Sequence, residues 1–326
     1  MVREDASRCD VYRPARRAEG ALLVVHGVHF HGPDDPRFER FARVLAGTGL
    51  VVVAPEVRSY RALMPDASAG ADIGVAAALT EREAERLGTK PAGFSISFGC
   101  LGMLNAIAAR DGGSGWAGVM PFGGFADWRA TTRFAFTGRM DDGTAAPNDP
   151  LARPVMAIRL AEELAQEGVN VAEVREAWRR FVHQTWCDEA MAEGDAWIEP
   201  ARNIGSALAA PERGLYELGL GLRADATEAI EAALAARDWS ELDPRLAAGE
   251  LSCPVYVAHG VSDQVIPVQE APKLAAAAER SSDVRCYVTR WFGHTGSGGF
   301  DGDTLQELST MLGFLGALSG LPRTPR

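Results

Sequence analysis

The sequence predicts an α/β protein built on a doubly wound, mostly parallel sheet, and three observations lead there. Two fully apolar runs, Ala21 to Val25 and Leu50 to Ala54, have the unbroken character of strands covered on both faces. Between them, Arg37 to Ala46 carries apolar residues at helical spacing, so strand, helix and strand follow one another as a right-handed crossover unit. Further strand signals at Ala117 to Pro121, Cys253 to Ala258 and Val284 to Val288 alternate with helical segments. In such a sheet, functional residues gather in the loops that follow the carboxyl ends of the strands.

Taken in order, Cys9 to Tyr12 reads as a short strand, and the helix at Arg37 to Ala46 places Phe38, Phe41, Val44 and Leu45 on one face before Gly47 and Gly49 stop it. A second helix is expected from about Gly74 to Leu87. A third runs from Ile96 to Arg110, with Phe98, Leu101, Leu104, Ile107 and Ala108 at helical spacing. From 126 to 250 the alternation stops: helices at Leu151 to Glu167, Ala172 to Trp186 and Ala226 to Ala236 are joined by loops rich in Gly, Pro and Asn. This block, read as a helical cap inserted into a core of residues 1–125 and 251–326, holds five of the seven tryptophans. Its stripe Val174, Trp178, Phe181, Val182 and Trp186 either packs the block onto the sheet or lines a cavity beneath it. Pro267 to Arg280 is helical, and Asp303 to Leu318 closes the chain with Leu305, Leu308, Leu312, Leu315 and Leu318 on one face.

With 326 residues and 47 % hydrophobic content the chain can bury a large core, and its net charge of −11 argues against nucleic-acid or anionic-membrane partners, whose phosphates would repel it. The five cysteines are scattered without a Cys-x-x-Cys spacing, so no disulfide framework or zinc ribbon is expected. No apolar leader and no run of eighteen apolar residues occurs, which reads as a cytoplasmic protein. A homodimer is compatible with the sequence, which fixes no oligomeric state.

Chemistry is expected around Gly93-Phe94-Ser95-Ile96-Ser97-Phe98-Gly99, where a strand runs into a helix past small residues. A serine at so sharp a turn needs small neighbours two before and two after it, which Gly93 and Ser97 provide for Ser95. Ser97 meets the same rule through Ser95 and Gly99; Ser95 is favoured because glycine is the more permissive residue before the turn. A serine hydroxyl needs an imidazole to take its proton and a carboxylate to hold that imidazole. His294 and Asp263, both at expected strand ends, supply them in the order serine, acid, histidine. The N–H groups of Val28 and Ile96 are the expected oxyanion donors.

With these residues in place, the chain resembles proteins of the α/β-hydrolase fold that carry a helical cap after the sixth strand of that fold. His26-Gly27 is similar to the family's oxyanion strand end, Gly93 to Ser97 to its nucleophile elbow, His259-Gly260 through Asp263 to Pro267 to its acid loop, and Gly293-His294 to its histidine loop. The departure is Ser97 where the family most often has glycine, followed by the bulky Phe98. More loosely, His26-Gly27-Val28 with Asp34-Asp35-Pro36-Arg37 resembles a set of uncharacterised bacterial hydrolases. The resemblance implies a serine hydrolase of the carboxylesterase kind, acting on a small acyl substrate with an apolar group through an acyl-enzyme. An acyltransferase or a carbon–carbon bond hydrolase could use the same triad, and a different class of protein, a non-catalytic binder, could keep the fold as a pocket.

His29, Trp128, Trp178 and Trp186 are the expected pocket residues. Asp127 is a weaker candidate than Asp263 for the acid, and Glu56 reads as structural. The pair His29-x-His31 has a spacing similar to metallo-β-lactamase-like hydrolases, but Pro33-Asp34 replaces the Asp-His that follows there, so no metal is expected. His183 reads as a surface or packing residue and Cys100 as a buried one, and no dinucleotide or phosphate loop occurs, so no cofactor is expected.

Overall fold

Every residue of β2 (Gly20–Val25) and β3 (Leu50–Pro55) is buried, as the unbroken apolar runs predict for strands covered on both sides. The computed structural model describes residues 8–66, 68–290 and 304–325. With β1 (Cys9–Tyr12), β4 (Ala92–Ile96), β5 (Gly118–Phe122), β6 (Val255–Gly260) and β7 (Val284–Thr289) these strands form one sheet, in the order β1-β3-β2-β4-β5-β6-β7. Only β1 runs antiparallel, pairing Cys9 with Pro55; the other pairs are parallel, with Val25 opposite Ser95 and Ser95 opposite Pro121.

Alternate residues of the central strands serve opposite layers. Leu22 and Val24 of β2 pack with α1 (Pro36–Gly47) and with the helix that ends the chain, while Leu23 and Val25 pack with α3 (Ala69–Leu87), which follows the single-turn α2 (Arg58–Arg61), and with α4 (Gly99–Ala108). Helix α1 begins where Asp35 accepts the Arg37 N–H and Pro36 occupies the first turn. Its buried residues are Phe38, Ala42, Leu45 and Ala46; Val44, expected inside, is exposed because the stripe that meets the sheet lies one residue round.

Between β5 and β6 the chain forms α5 (Trp128–Thr137), α6 (Arg153–Leu164), α7 (Val171–Thr185), α8 (Ile198–Ser206), α9 (Ala210–Gly219), α10 (Ala226–Ala236) and α11 (Pro244–Glu250), with no strand among the described residues. Helices α5, α8, α9 and α11 carry no signal in the sequence reading; all are ten residues or shorter. Helix α12 (Glu270–Ala277) joins β6 to β7, and α13 (Thr304–Gly320) closes the second layer. The face of α13 that packs is Met311, Phe314 and Leu318, while Leu312 and Leu315, expected on it, are exposed. Phe314 decides this, because its ring reaches Phe94, Phe122 and Tyr287 on the sheet.

Candidate active site

Strand β4 ends at Ile96 and α4 begins at Gly99, so the sharp turn falls on Ser97 and Phe98. Ser97 has φ +54, a left-handed conformation that costs a non-glycine residue about 1–3 kcal/mol and persists only where its surroundings enforce it. Its N–H donates to Phe122 O at 2.8 Å and its carbonyl accepts the Cys100 N–H at 3.1 Å, which ties the turn to both elements. Helix α4 starts so close to β2 that a Cβ on Gly99 would lie 2.7 Å from the His26 carbonyl oxygen, and one on Gly27 would lie 3.2 Å from the Ser97 Cβ. Ser95, expected at the turn, lies inside β4: it is fully buried, paired with Val25 and Pro121, and its Oγ has no hydrogen-bond partner among the described residues. The position after the turn residue is therefore Phe98, and Ile96, expected there, sits in the ladder opposite Phe122. The pattern of small residues that matters is Ser95-x-Ser97-x-Gly99, two residues beyond the expected one.

Ser97 opens on a cavity of about 620 Å³, walled by the loop after β2 (His26 to His29), by the start of α1 and, from the helical block, by Leu151, Val155 and Trp186. None of the described backbone hydrogen bonds is donated by the Val28 or Phe98 N–H, and both residues line this cavity. The phenol of Tyr60 braces the turn from behind, donating to Phe98 O and accepting the Gly102 N–H, both at 3.1 Å. No motif in the sequence marks Tyr60; the glycine at 102, inside a helix, is its one trace, since a Cβ there would lie 3.0 Å from the phenol oxygen.

His26 is buried beneath the turn, its Nδ1 against Gly27 O at 2.6 Å and its Nε2 accepting the Val57 N–H at 3.3 Å, a pattern that only the neutral ring can make. Burial pushes it down to about 4. Asp263, after β6, is buried, and its Oδ1 accepts the N–H groups of Val265 at 2.8 Å and Ile266 at 2.9 Å, which fixes the carboxylate. His259, fully buried at the end of β6, places Nε2 3.0 Å from Ile266 O and 3.4 Å from Asp263 Oδ2. The expected partner His294 lies outside the described residues.

The other acids have structural partners. Asp127 caps α5, accepting the Arg129 and Ala130 N–H groups, and faces Arg245; Glu56 pairs with Arg8 and Arg61. Of the tryptophans, Trp186 lines the cavity, with its indole N–H donating to Leu151 O. Trp128 and Trp178, expected beside it, are buried elsewhere: Trp128 packs on Phe98 and Phe125, and Trp178 lies among the helices between β5 and β6, its N–H donating to Tyr216 O. The stripe on α7 thus packs along most of its length and meets the cavity only at its last residue. His29 lines the cavity, while His183 stacks on Phe30 at 4.0 Å. Among the described residues no three His, Cys, Asp or Glu side chains come together as a metal-ligand set. Cys100 is buried in α4, and burial pushes its thiol up to about 12. No helix among the described residues is long and apolar enough to cross a membrane.

No protein-family model matches the chain. No curated protein sequence matches it either. Solved structures do. Acylaminoacyl peptidase from Pyrococcus horikoshii superimposes with a TM-score of 0.51 at 12 % identity, over 98 % of this chain and 40 % of that one. An acylaminoacyl peptidase in complex with Z-Gly-Gly-Phe-chloromethyl ketone gives 0.50 at 11 % identity, with the same shares. A highly thermostable carboxyl esterase from Bacillus coagulans gives 0.46 at 14 % identity, over 97 % of this chain and 94 % of that one. The chain spans about 40 % of the length of the peptidases it matches. At such identities the likeness bears on architecture, and it joins the strand order, the crossovers and the strained turn after β4 in one conclusion: the chain has the α/β-hydrolase fold.

Proposed function

We propose that the chain is a serine hydrolase that cleaves a carboxylic ester or a related acyl bond, with Ser97 as nucleophile, His294 as general base and Asp263 as the acid that orients it. The observation that carries this reading is the conformation of Ser97, held at φ +54 where the central strand meets a helix N-terminus and facing the cavity. A strained serine in that position presents its hydroxyl clear of its own backbone, and the helix dipole favours negative charge there. Asp263 supports the reading through its two backbone N–H contacts, which keep one oxygen fixed. The base comes from the sequence order, in which His294 follows the last strand.

In the proposed reaction His294 takes the Ser97 proton as Oγ bonds to the acyl carbon, and the oxyanion that forms is held by the N–H groups of Val28 and Phe98. His294 returns the proton to the leaving alcohol as the carbon–oxygen bond breaks. Water, activated by the same imidazole, then releases the acid and restores the serine. The walls of Val28, Phe98, Leu151, Val155, Trp186 and Val265 suit a substrate with an apolar group, and the helical block serves as the lid over it. Labelling with a fluorophosphonate, followed by digestion and mass spectrometry, tests the assignment. The adduct is expected on Ser97; an adduct on Ser95 would return the role to that residue. No adduct, together with no turnover of short p-nitrophenyl esters, would leave the fold as a binding pocket.

A further inference from the structure

His259 is the penultimate residue of β6 and is fully buried. Along that strand Tyr256 and Ala258 pack with the layer of α1 and α13, while Val255 and Val257 pack with the layer of α3 and α4. By alternation His259 projects into the second of these, where its ring meets the loop that carries Asp263. The contacts there close on themselves. Asp263 Oδ1 accepts the Ile266 N–H at 2.9 Å, the Ile266 carbonyl oxygen lies 3.0 Å from His259 Nε2, and the same Nε2 lies 3.4 Å from Asp263 Oδ2. A carbonyl oxygen only accepts, so Nε2 carries a proton, and the positive edge of the ring faces the carboxylate as well as the carbonyl. With Oδ1 held by two N–H groups and Oδ2 set against the ring, the carboxylate has little freedom to turn about its Cβ–Cγ bond.

Packing alone does not account for an imidazole here. Its Nδ1 edge is buried without a hydrogen-bond partner among the described residues, a cost that an aliphatic side chain of similar size would not carry. What the aliphatic chain would lack is the Nε2–H. We propose that His259 is a positioning residue for the hydrolytic reaction: its Nε2–H, set between Ile266 O and Asp263 Oδ2, holds the acid loop closed and aims Oδ2 at the base, His294. This rests on the reading of Ser97, His294 and Asp263 as a triad. It adds to that reading a buried histidine that never meets substrate and acts only through the carboxylate. A carboxylate serves such a triad by holding the imidazole in one tautomer and one orientation, so a group that fixes the carboxylate bears on the rate without touching the reacting atoms.

A double-mutant cycle tests this, read as kcat/KM for p-nitrophenyl acetate per folded protein. His259→Leu keeps much of the volume and removes the donor, so it is expected to lower kcat/KM about ten- to a hundredfold. His259→Gln carries an amide N–H near the place of Nε2 and is expected to recover most of that loss. His259→Asn, whose amide stops short of Ile266 O, is expected to behave like His259→Leu and takes its place if that variant does not fold. In an Asp263→Asn background the same His259 changes are expected to have less than about a twofold effect, because the carboxylate they would misplace is already gone. Equal losses in both backgrounds, equal losses in His259→Gln and His259→Leu, or full activity without the donor would overturn the role of His259 and leave the hydrolase standing. Wild-type turnover in Asp263→Asn, or no fluorophosphonate label on the wild type, would overturn the triad and this role with it.

Discussion

Ser97→Ala removes the proposed nucleophile and leaves the turn as it is, so kcat/KM for a p-nitrophenyl ester is expected to fall by about four orders of magnitude or more while Tm holds. Ser97→Gly, equally inactive, relieves the left-handed strain and is expected to raise stability by roughly 1 kcal/mol in urea unfolding. Ser95→Ala deletes a buried hydroxyl that has no partner among the described residues, so it should cost neither activity nor stability; a large loss of turnover would contradict the assignment. Acidity acts through histidines. His26 and His29 titrate at about 4 in the fold and near 6.5 in an unfolded chain, so between these values the unfolded chain binds more protons. Their contribution is complete above about pH 6.5 and is lost as pH falls toward 4; Asp35, lowered to about 2, acts below that window. The urea midpoint should therefore drop between pH 7.5 and 4.5, less steeply in His29→Phe, and a midpoint that rose toward acid would refute the sign. The two serines also show what a sequence conceals at this scale. Both fit the rule of small neighbours, and the choice hangs on where the strand stops. Gly99 was the usable signal, since the His26 carbonyl leaves no room there for a side chain, but that contact is between residues far apart in the chain.

Among the elements, α7 carries along a single face both residues that only pack and one that lines the cavity. Trp178 is fully buried against Gly219, where a Cβ would lie 2.3 Å from its ring, whereas Trp186 is half-buried at the cavity. Trp178→Ala should lower stability by about 3–5 kcal/mol with equal effect on acetate and bulky esters. Trp186→Ala should raise KM for bulky esters far more than for acetate; equal changes for the two substrates would make it a packing residue as well. The stripe itself was legible, because Val174, Trp178, Phe181 and Val182 recur at helical spacing and are all buried. Its division was not, since periodicity tells which face is covered and not by what. The same limit hid the packing of α13, where leucines lie on two overlapping stripes and Phe314 selects one. Strands β2 and β3 are legible to within one residue at each end, because burial on both faces leaves an unbroken apolar run that short helices such as α8 and α9 do not have.

At the scale of the whole molecule, the helical block has no core of its own. Val155, Trp178, Ile230 and Leu234 belong to the same continuous apolar cluster as Leu23, Val25 and Val119 of the sheet. Thermal unfolding is therefore expected to show one cooperative transition, and removal of residues 126–250 should yield an insoluble chain; two resolved transitions would show a cap that stands alone. The place of that block in the chain also bears on how the molecule assembles. Strands β1 to β5 come from one continuous stretch, but β6 must find β5 across the entire helical block, with Val119 opposite Val255 and Phe122 opposite Ala258. Closing so long a loop is entropically costly until the helices have condensed, so β6, α12 and β7 dock late in refolding. Until they do, β5 is an unpaired sheet edge, and crowded refolding mixtures will lose material through that edge to intermolecular strand pairing.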